Sequence, residues 1–271
     1  MSERDVIDAT EHPATAASLG RDLAALGLGR GATVMVHTSL SALGYVVGGA
    51  ETVVTALRDT IGPHGTLMMP THSSQYTDPG GWRNPPVPPG WIETMRATMP
   101  PFDPEHSPTR GMGVVAEHFR RLPGVGRSTH PTVSAAAVGP RAADLLSDHS
   151  LDRGLGEGSP QARLYDLDGQ VLLLGVSHVN NTALHLAEHR AVPVGHPLLA
   201  QSSPVVVDGV RRWVAHDELD DDNDFGAIGV AFAATGAQRS GPVGAGVGHL
   251  MRVRAVVDFA QGWLEREVYA Q

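Results

Sequence analysis

The stretch LLLGVSHVNNTALHLAEHR, residues 172–190, decides the expected fold of this chain. An apolar run from Val171 to Leu174 stops at Gly175, and a polar loop then leads to Asn181-Thr182, which opens a helix. A strand that ends at a glycine and passes into a capped helix is typical of α/β proteins, whose binding sites usually lie at that edge of the sheet. We therefore expect an α/β fold with its functional site next to this helix.

The predicted helix carries three ionisable side chains, His185, Glu188 and His189. Spacings of three and four residues bring such side chains next to one another on a helix. Three interpretations stay open on these residues alone. One histidine could act as a general base. The two histidines of this H-x-x-E-H motif could instead bind zinc, or all three side chains could be ordinary surface and core groups.

Helix and strand patterns alternate along most of the chain. This alternation predicts three α/β/α layers, with a largely parallel or mixed central sheet covered by helices. The predicted strands are Thr33–Val36, Thr66–Met69, Ser134–Val138, Val171–Leu174 and a hairpin of Ser203–Val207 with Arg211–Ala215. The predicted helices are Thr15–Leu26, Glu51–Ile61, Gly113–Leu122, Arg141–Ser147, Thr182–Ala191, Phe225–Thr235 and Val253–Val268.

One irregular segment, residues 71–110, interrupts this alternation and is dense in proline, glycine and tryptophan. Such segments rarely form regular elements, and long irregular loops in compact domains often face a substrate. An ordered surface excursion without a binding role is the alternative. We expect residues 1–271 to form a single domain with this segment as a substrate-facing excursion.

The composition excludes several classes of chemistry. A net charge of −9 over 271 residues argues against nucleic acid or anionic membrane as a partner and suits a cationic small molecule. All 20 basic residues are arginine and cysteine is absent, which excludes lysine Schiff bases, thiolate nucleophiles and disulfides. The N-terminal residues lack an apolar signal core, and no apolar run is long enough for a membrane span, so we expect a cytoplasmic protein.

Two turns are candidates for holding a phosphate group. The segment HTSLSALGYVVGG, residues 37–49, follows a strand and precedes a helix, where backbone N–H groups can surround an anion. The segment TRGMG, residues 109–113, places Arg110 beside glycines at a predicted helix start, and guanidinium groups bind phosphate well. Neither is a Rossmann or Walker motif, so an ordinary turn and a surface arginine stay as alternatives.

The densest run of charge is DELDDDND, residues 217–224. Phe225 and Ala231 stand where an EF-hand loop needs glycine and glutamate, so this is not a calcium loop. The run is either a solvated acidic turn or a surface that captures a polycation. No G-x-S-x-G elbow occurs, and a serine hydrolase is therefore not expected.

Five segments, in order along the chain, resemble the aminoglycoside 3-N-acetyltransferase family. The resemblance implies an α/β fold particular to that family, unlike the GNAT fold common among acetyltransferases. It also implies acetyl-CoA as donor and, as acceptor, the 3-amino group on the 2-deoxystreptamine ring of an aminoglycoside antibiotic, and hence antibiotic resistance. The segments are VMVHTSLSALGYVVGG…LMMPTHS (34–73), PPFDPEHSPTRGMG…RSTHP (100–131), GEGSPQARLYDLDGQVLLLGV (156–176), NNTALHLAEHRA (180–191) and RRWVAHDELDDDNDF (211–225).

The resemblance further implies roles for single residues. The family's histidine in LHLAE corresponds to His185, the expected general base for direct acetyl transfer. The family's partner carboxylate corresponds to Asp217, where the family usually has glutamate, and Glu218 is the alternative. His178 and His130 are further candidates.

The predicted site residues form three groups, and no metal is expected. Catalysis is assigned to His185, Asp217 and Glu188. Acetyl-CoA binding is assigned to His37, Thr38, Ser39, Leu40, Ser41, Gly44, Thr109, Arg110, Gly111, Met112 and Gly113. Aminoglycoside binding is assigned to Gln75, Tyr76, Asp78, Glu157, Glu218, Asp220 and Asp222.

Three alternatives from other classes stay open. A zinc hydrolase would use the H-x-x-E-H residues and lose activity with a chelator. A family member could acylate another amine, or use another acyl-CoA, in biosynthesis. A scaffold could bind cationic antibiotics or polyamines without turnover. The expected partners are acetyl-CoA and an aminoglycoside, with neither nucleic acid nor membrane, and the expected state is a monomer or homodimer.

Overall fold

A seven-stranded mixed sheet forms the centre of the fold in the computed structural model, which describes residues 3–219 and 223–270. Its strands are β1 Thr33–Thr38, β2 Thr66–Pro70, β3 Gly126–Arg127, β4 Ala135–Val138, β5 Gln170–Leu174, β8 Arg239–Val243 and β9 Gly246–Arg252. They lie in the order β3-β4-β2-β1-β5-β9-β8. Strand β1 is parallel to β2 and β5, whereas the other neighbouring pairs are antiparallel. The predicted mixed sheet is therefore confirmed.

Helices cover both faces of this sheet, which gives the predicted three layers. Leu23, Leu57 and Phe119 belong to helices that pack on one face, and Leu145 and Leu264 belong to helices that pack on the other. In β5, Leu172 and Leu173 point to opposite cores, because successive strand residues face opposite sides. Within the described residues, no helix is both long enough and apolar enough to cross a bilayer. The helices are α1 Glu3–Asp8, α2 Ala16–Leu26, α3 Gly49–Ile61, α4 Ile92–Thr98, α5 Gly113–Phe119, α6 Ala142–Leu146, α7 Pro160–Asp166, α8 Ala183–Ala191, α9 Phe225–Ala233 and α10 Val253–Glu267.

The predicted hairpin forms a separate two-stranded sheet that contacts the irregular segment 71–110. Its strands are β6 Leu199–Val207 and β7 Val210–Glu218. The N–H of Phe102 donates to the carbonyl of Pro204 at 2.8 Å, and the indole of Trp213 donates to the carbonyl of Arg96 at 2.9 Å. Segment 71–110 is thus held in place by hydrogen bonds to its backbone carbonyl and N–H groups, and it contains one α-helix, α4, and three short 3-10 helices that the sequence analysis did not predict.

The antiparallel hairpin β8–β9 was also missed. The glycine-rich stretch 244–248 contributes its turn and the start of β9, and Gly244 has φ of +58°. A Cβ on Gly246 would lie 2.4 Å from the carbonyl oxygen of Ala42. These glycines therefore allow a tight turn and a close approach between backbone segments. Because glycine has no side chain, the sequence here lacks the alternation of apolar and polar residues that predicts a strand.

Replacing Gly175 with alanine should destabilise the fold by about 2–4 kcal/mol. Gly175 ends β5 with φ of +64°, and an added Cβ would lie 2.5 Å from the Cβ of Ala42. Backbone strain and overpacking therefore act together. Urea denaturation measures the effect, with Gly29→Ala as the control, because a Cβ there meets nothing within 4 Å. Equal midpoints for the two variants would contradict this account.

Candidate active site

The carboxyl ends of the three parallel strands meet at one edge of the sheet beside a cavity of about 1070 Å³. Strand β1 contributes His37 and Thr38, the chain after β2 contributes His72, and the loop after β5 leads to His185 on α8. Asn181 begins α8 by accepting a hydrogen bond from the N–H of Ala183 at 3.2 Å. The edge predicted from residues 172–190 is therefore where the cavity lies.

His185 and Glu188 form a hydrogen-bonded pair on α8. The Nδ1 of His185 lies 2.6 Å from Oε2 of Glu188, whose side chain is 3% exposed. The second carboxylate oxygen accepts from the amide of Asn223 at 2.8 Å, and the ring of Phe225 packs edge-on against the imidazole. Because the carboxylate accepts from Nδ1, this tautomer leaves Nε2 as the proton-accepting nitrogen.

The predicted pairing of His185 with Asp217 or Glu218 is corrected by this geometry: of the described carboxylates, Glu188 is the one hydrogen-bonded to His185. Asp217 and Glu218 are consecutive in β7, so their side chains point to opposite faces. Asp217 is exposed, and its N–H donates to the carboxylate of Asp152 at 2.9 Å. Glu218 points inward, where it accepts from the N–H of Gly154 at 3.0 Å.

Most of the predicted acetyl-CoA residues lie around the cavity. Two do not. The N–H and hydroxyl of Thr109 donate to the carboxylate of Glu117 at 2.9 and 2.7 Å, and the guanidinium of Arg110 lies 5.6 Å from the ring centroid of Trp82. These local partners turn both side chains away. The predicted residues that line the cavity are His37, Thr38, Ser39, Leu40, Ser41, Gly44, Gly111, Met112 and Gly113.

Three buried polar atoms at this edge have no hydrogen-bond partner among the described residues: His37 Nε2, Thr38 Oγ1 and His72 Nε2. Burial, followed by the charge of His185, lowers the pKa of His37 to about 3. The same two causes contribute most to the lowered pKa of His72, which is also about 3. Both imidazoles are therefore neutral at physiological pH. The sequence analysis missed His72, although HTS after β1 and THS after β2 place similar residues at adjacent strand ends.

The predicted aminoglycoside residues mostly have partners within the protein. Asp78 forms a bidentate pair with Arg96, and Glu157 pairs with Arg190 at 2.7 Å. The amide of Gln75 donates to the carbonyl of Pro108 at 2.8 Å, and Tyr76 is buried edge-on against Phe102. Arginine thus already neutralises two of these carboxylates. Asp220 and Asp222 lie outside the described residues.

Two further histidines have clear structural surroundings. The Nε2–H of His178 donates to the amide oxygen of Gln238 at 2.7 Å, and the imidazole ring packs under Gly229 of α9. His189 Nδ1 accepts from the guanidinium of Arg153 at 3.2 Å. Burial and then Arg153 lower the pKa of His189 to about 4. Since Arg153 occupies this nitrogen, the side chains of H-x-x-E-H do not converge on a zinc position.

One cluster of described residues has spacing suited to a metal ion: His130, His216 and Glu218. It lies apart from the residues that line the cavity. The sequence analysis did not single out His216, because an isolated histidine in a hairpin strand carries no motif. His130 was a further candidate for the active site, and Glu218 was predicted to bind the aminoglycoside or to pair with His185; both are buried in this cluster.

Acid should destabilise the fold between about pH 6.5 and pH 3, in part through His37. Its folded-state pKa of about 3 lies below its usual value of 6.5, so the unfolded chain binds the proton first. The stability contribution is therefore full above pH 6.5 and is lost as pH falls toward 3, at up to about 1.4 kcal/mol per pH unit. Urea midpoints at pH 7.5, 6 and 5 measure this loss. His37→Asn should flatten the profile, whereas exposed His12→Asn should not; parallel profiles would contradict the assignment.

Comparison with known proteins gives the relatives of this chain. A sequence profile described as aminoglycoside 3-N-acetyltransferase matches residues 35–265. The SPbeta prophage-derived aminoglycoside N(3')-acetyltransferase-like protein YokD of Bacillus subtilis is 40% identical over 96% of both chains. Aminoglycoside N(3)-acetyltransferase VIII of Streptomyces fradiae is 41% identical over 98% of this chain and 96% of its own.

Solved structures agree with these sequence matches. The crystal structure of YokD from Bacillus subtilis superposes with a TM-score of 0.95, at 38% identity and 99% coverage of both chains. The complex of AAC-IIIb with CoASH superposes with a TM-score of 0.85, at 37% identity, over 94% of this chain and 97% of that one. The chain therefore belongs to the aminoglycoside 3-N-acetyltransferase family.

Proposed function

We propose that this protein transfers the acetyl group of acetyl-CoA to the 3-amino group of an aminoglycoside's 2-deoxystreptamine ring, with His185 as general base. The single observation that carries the proposal is the His185–Glu188 pair, at 2.6 Å, beside a cavity lined by the expected acetyl-CoA residues. The relative AAC-IIIb binds coenzyme A, and the Streptomyces fradiae relative is an aminoglycoside N(3)-acetyltransferase. Both facts support the assignment of donor and acceptor.

The chemistry of the acceptor explains why a base is needed. An aminoglycoside amine is mostly protonated near neutral pH, and only its neutral form attacks a carbonyl. With Nδ1 hydrogen-bonded to Glu188, Nε2 of His185 takes the proton while the amine nitrogen bonds to the thioester carbon. The carbon–sulfur bond then breaks, and the departing sulfur of coenzyme A takes the proton from Nε2 of His185. Coenzyme A leaves as a thiol, and the imidazole returns to its neutral form. Because cysteine is absent, we propose direct transfer in a ternary complex.

The cavity supplies groups for the donor side of this reaction. Gly48 and Gly49 begin α3 at one wall, and exposed backbone N–H groups at a helix start favour an anionic group such as a phosphate. The unpartnered atoms of His37, Thr38 and His72 give the bound donor polar partners near the reacting end. We assign the acceptor to segment 71–110 and the acidic run 217–224, because negative charge attracts a polycation. The reaction uses a cytoplasmic donor, which fits a cytoplasmic location.

Release of free thiol from acetyl-CoA tests this function. The chain contributes no thiol background, because it has no cysteine. We expect release that depends on an aminoglycoside with a free 3-amino group and that continues with a chelator present. Polyamines and simple amines serve as alternative acceptors. Release with these amines alone would identify a different acyltransferase, and binding of aminoglycoside without release would indicate a sequestering protein.

A further inference from the structure

A compact cluster of buried imidazoles surrounds Glu218, outside the proposed active site. His216 and Glu218 lie on the same face of β7, and His130 comes from the loop between β3 and β4. The side chains of the two histidines are 0% exposed and that of Glu218 is 10% exposed. His130 is far from His216 and Glu218 in the sequence, so the cluster connects the hairpin β6–β7 to the central sheet.

Two separations between donor atoms of the cluster match those of neighbouring ligands in a tetrahedral metal site, and all three donor atoms lie within 4.8 Å of one another. His130 Nε2 lies 3.2 Å from Oε1 of Glu218, and His216 Nδ1 lies 3.4 Å from the same oxygen. Zinc bonds of about 2.0–2.1 Å in tetrahedral geometry place neighbouring donor atoms roughly 3.3–3.4 Å apart. His216 Nδ1 and Glu218 Oε1 make no hydrogen bond within the described part of the chain, although both are buried. These atoms therefore face one point without satisfying one another.

The remaining polar atoms of two of these side chains are already oriented. The second oxygen of Glu218 accepts from the N–H of Gly154 at 3.0 Å, and Nε2 of His216 lies 3.1 Å from the hydroxyl of Ser203. Partners of this kind hold metal ligands in position. The free oxygen of this buried carboxylate thus remains directed at the two imidazoles.

We propose that His130, His216 and Glu218 bind one divalent ion of the zinc class, which fastens strand β7 to the loops at residues 130 and 154. Two imidazoles and one carboxylate, without thiolate, favour zinc and its first-row neighbours over magnesium or calcium. Without metal, the Nε2–H of His130 donates to the carbonyl of Leu151 at 3.1 Å, and a bound ion replaces this hydrogen bond. The ion is structural, and this proposal stands apart from the acetyl transfer at His185.

The binding requires one local rearrangement at His130. Its Nδ1 accepts from the N–H groups of Thr132 and Val133, each at 3.2 Å, so without metal the ring proton lies on Nε2. A metal on Nε2 displaces that proton, and the hydroxyl of Thr132, 3.3 Å from Nδ1, is the acceptor for a proton moved there. The loss of the two backbone hydrogen bonds makes this site weaker than a fully preformed one.

Equilibrium dialysis of chelator-treated full-length protein against zinc chloride tests the proposal. We expect one zinc per chain, with affinity reduced about 100-fold or more in His216→Gln and in Glu218→Gln. His189→Gln is the matched control, since it alters a histidine of the H-x-x-E-H motif, outside the cluster, and should keep wild-type affinity. No stoichiometric zinc on the wild-type protein, or loss in His189→Gln but not in His216→Gln, would overturn the proposal.

Cobalt spectroscopy provides a second measurement that does not depend on a variant folding correctly. Cobalt bound to wild-type protein in a tetrahedral N/O site should give strong visible absorption bands, and zinc should displace it. Zinc should also raise the melting temperature of the wild-type protein and leave that of Glu218→Gln unchanged. Cobalt bands typical of six-coordinate aqueous ions, with no zinc-dependent rise in melting temperature, would overturn the proposal. The side chains of the cluster would then be held together by hydrogen bonds alone.

Discussion

His185→Ala should lower kcat for aminoglycoside acetylation by about 10²–10⁴-fold and leave the affinity for acetyl-CoA within a few-fold of wild type. The imidazole is the only group at the cavity, within the described residues, whose Nδ1 is held by a buried carboxylate. Its loss removes the proposed proton acceptor but few of the contacts that we assign to acetyl-CoA, which would come from β1 and from residues 111–113 at the cavity wall. Steady-state kinetics with both substrates saturating, together with calorimetry of coenzyme A binding, measure the two effects.

A pair of carboxylate variants distinguishes the observed partner of His185 from the one expected by resemblance. Glu188→Gln keeps the size of the side chain but removes the charge, so it should lower kcat and shift the pH profile of kcat/KM. Asp217→Asn should leave that profile unchanged, because this side chain is exposed and its N–H bonds to Asp152. Near-normal turnover in His185→Ala, or a larger effect of Asp217→Asn than of Glu188→Gln, would contradict our assignment.

Apolar periodicity was sufficient to predict the elements that carry the core. Strand β5 and helices α2, α3, α8 and α10 were predicted within about two residues of their observed bounds, because each buries a regular face. Helix α4 and strands β8 and β9 were missed for a common physical reason. The hairpin β8–β9 contains Gly244 and Gly246 where the backbone approaches other residues closely, and helix Ile92–Thr98 has no fully buried face. Neither element therefore shows a regular pattern of apolar residues.

The sequence could predict which side chains lie at the edge of the sheet wherever chain position determines geometry. Parallel strands end at one edge, so His37 and His185 could be placed near each other from the sequence alone. Pairing of side chains is harder to predict, because it depends on which face of a strand points inward. Asp217 and Glu218 differ by one residue, and that single step exposes the first and buries the second among imidazoles. Glu188 pairs with His185 by local helix spacing, a partner that the resemblance did not suggest.

Arg127→Met should lower the free energy of unfolding by about 3 kcal/mol or more and should also impair turnover. Arg127 in β3 is 5.0 Å from the ring of Phe102, and its guanidinium donates to the carbonyl of Thr71 and the hydroxyl of Ser73 at 2.6 Å each. It also donates to the carbonyl of Ser107. Methionine keeps the apolar stem but removes these hydrogen bonds, although the carbonyl of Thr71 still accepts from the hydroxyl of Ser134 at 2.9 Å. Because Thr71 and Ser73 flank His72, the same loss should loosen the active-site edge.

The planar shape of this side chain, in addition to its charge, accounts for the expected size of the effect. Burial and then Arg120 lower the pKa of Arg127 to about 10, so the group remains charged at neutral pH. An ammonium group cannot reach acceptors on Thr71, Ser73 and Ser107 together, since it lacks the fixed fork of a guanidinium. Arg127→Lys should therefore recover only part of the stability lost in Arg127→Met. Exposed Arg121→Met is the control and should change the urea midpoint little. Equal midpoints for Arg127→Lys and wild type would mean that charge alone holds segment 71–110 against the sheet.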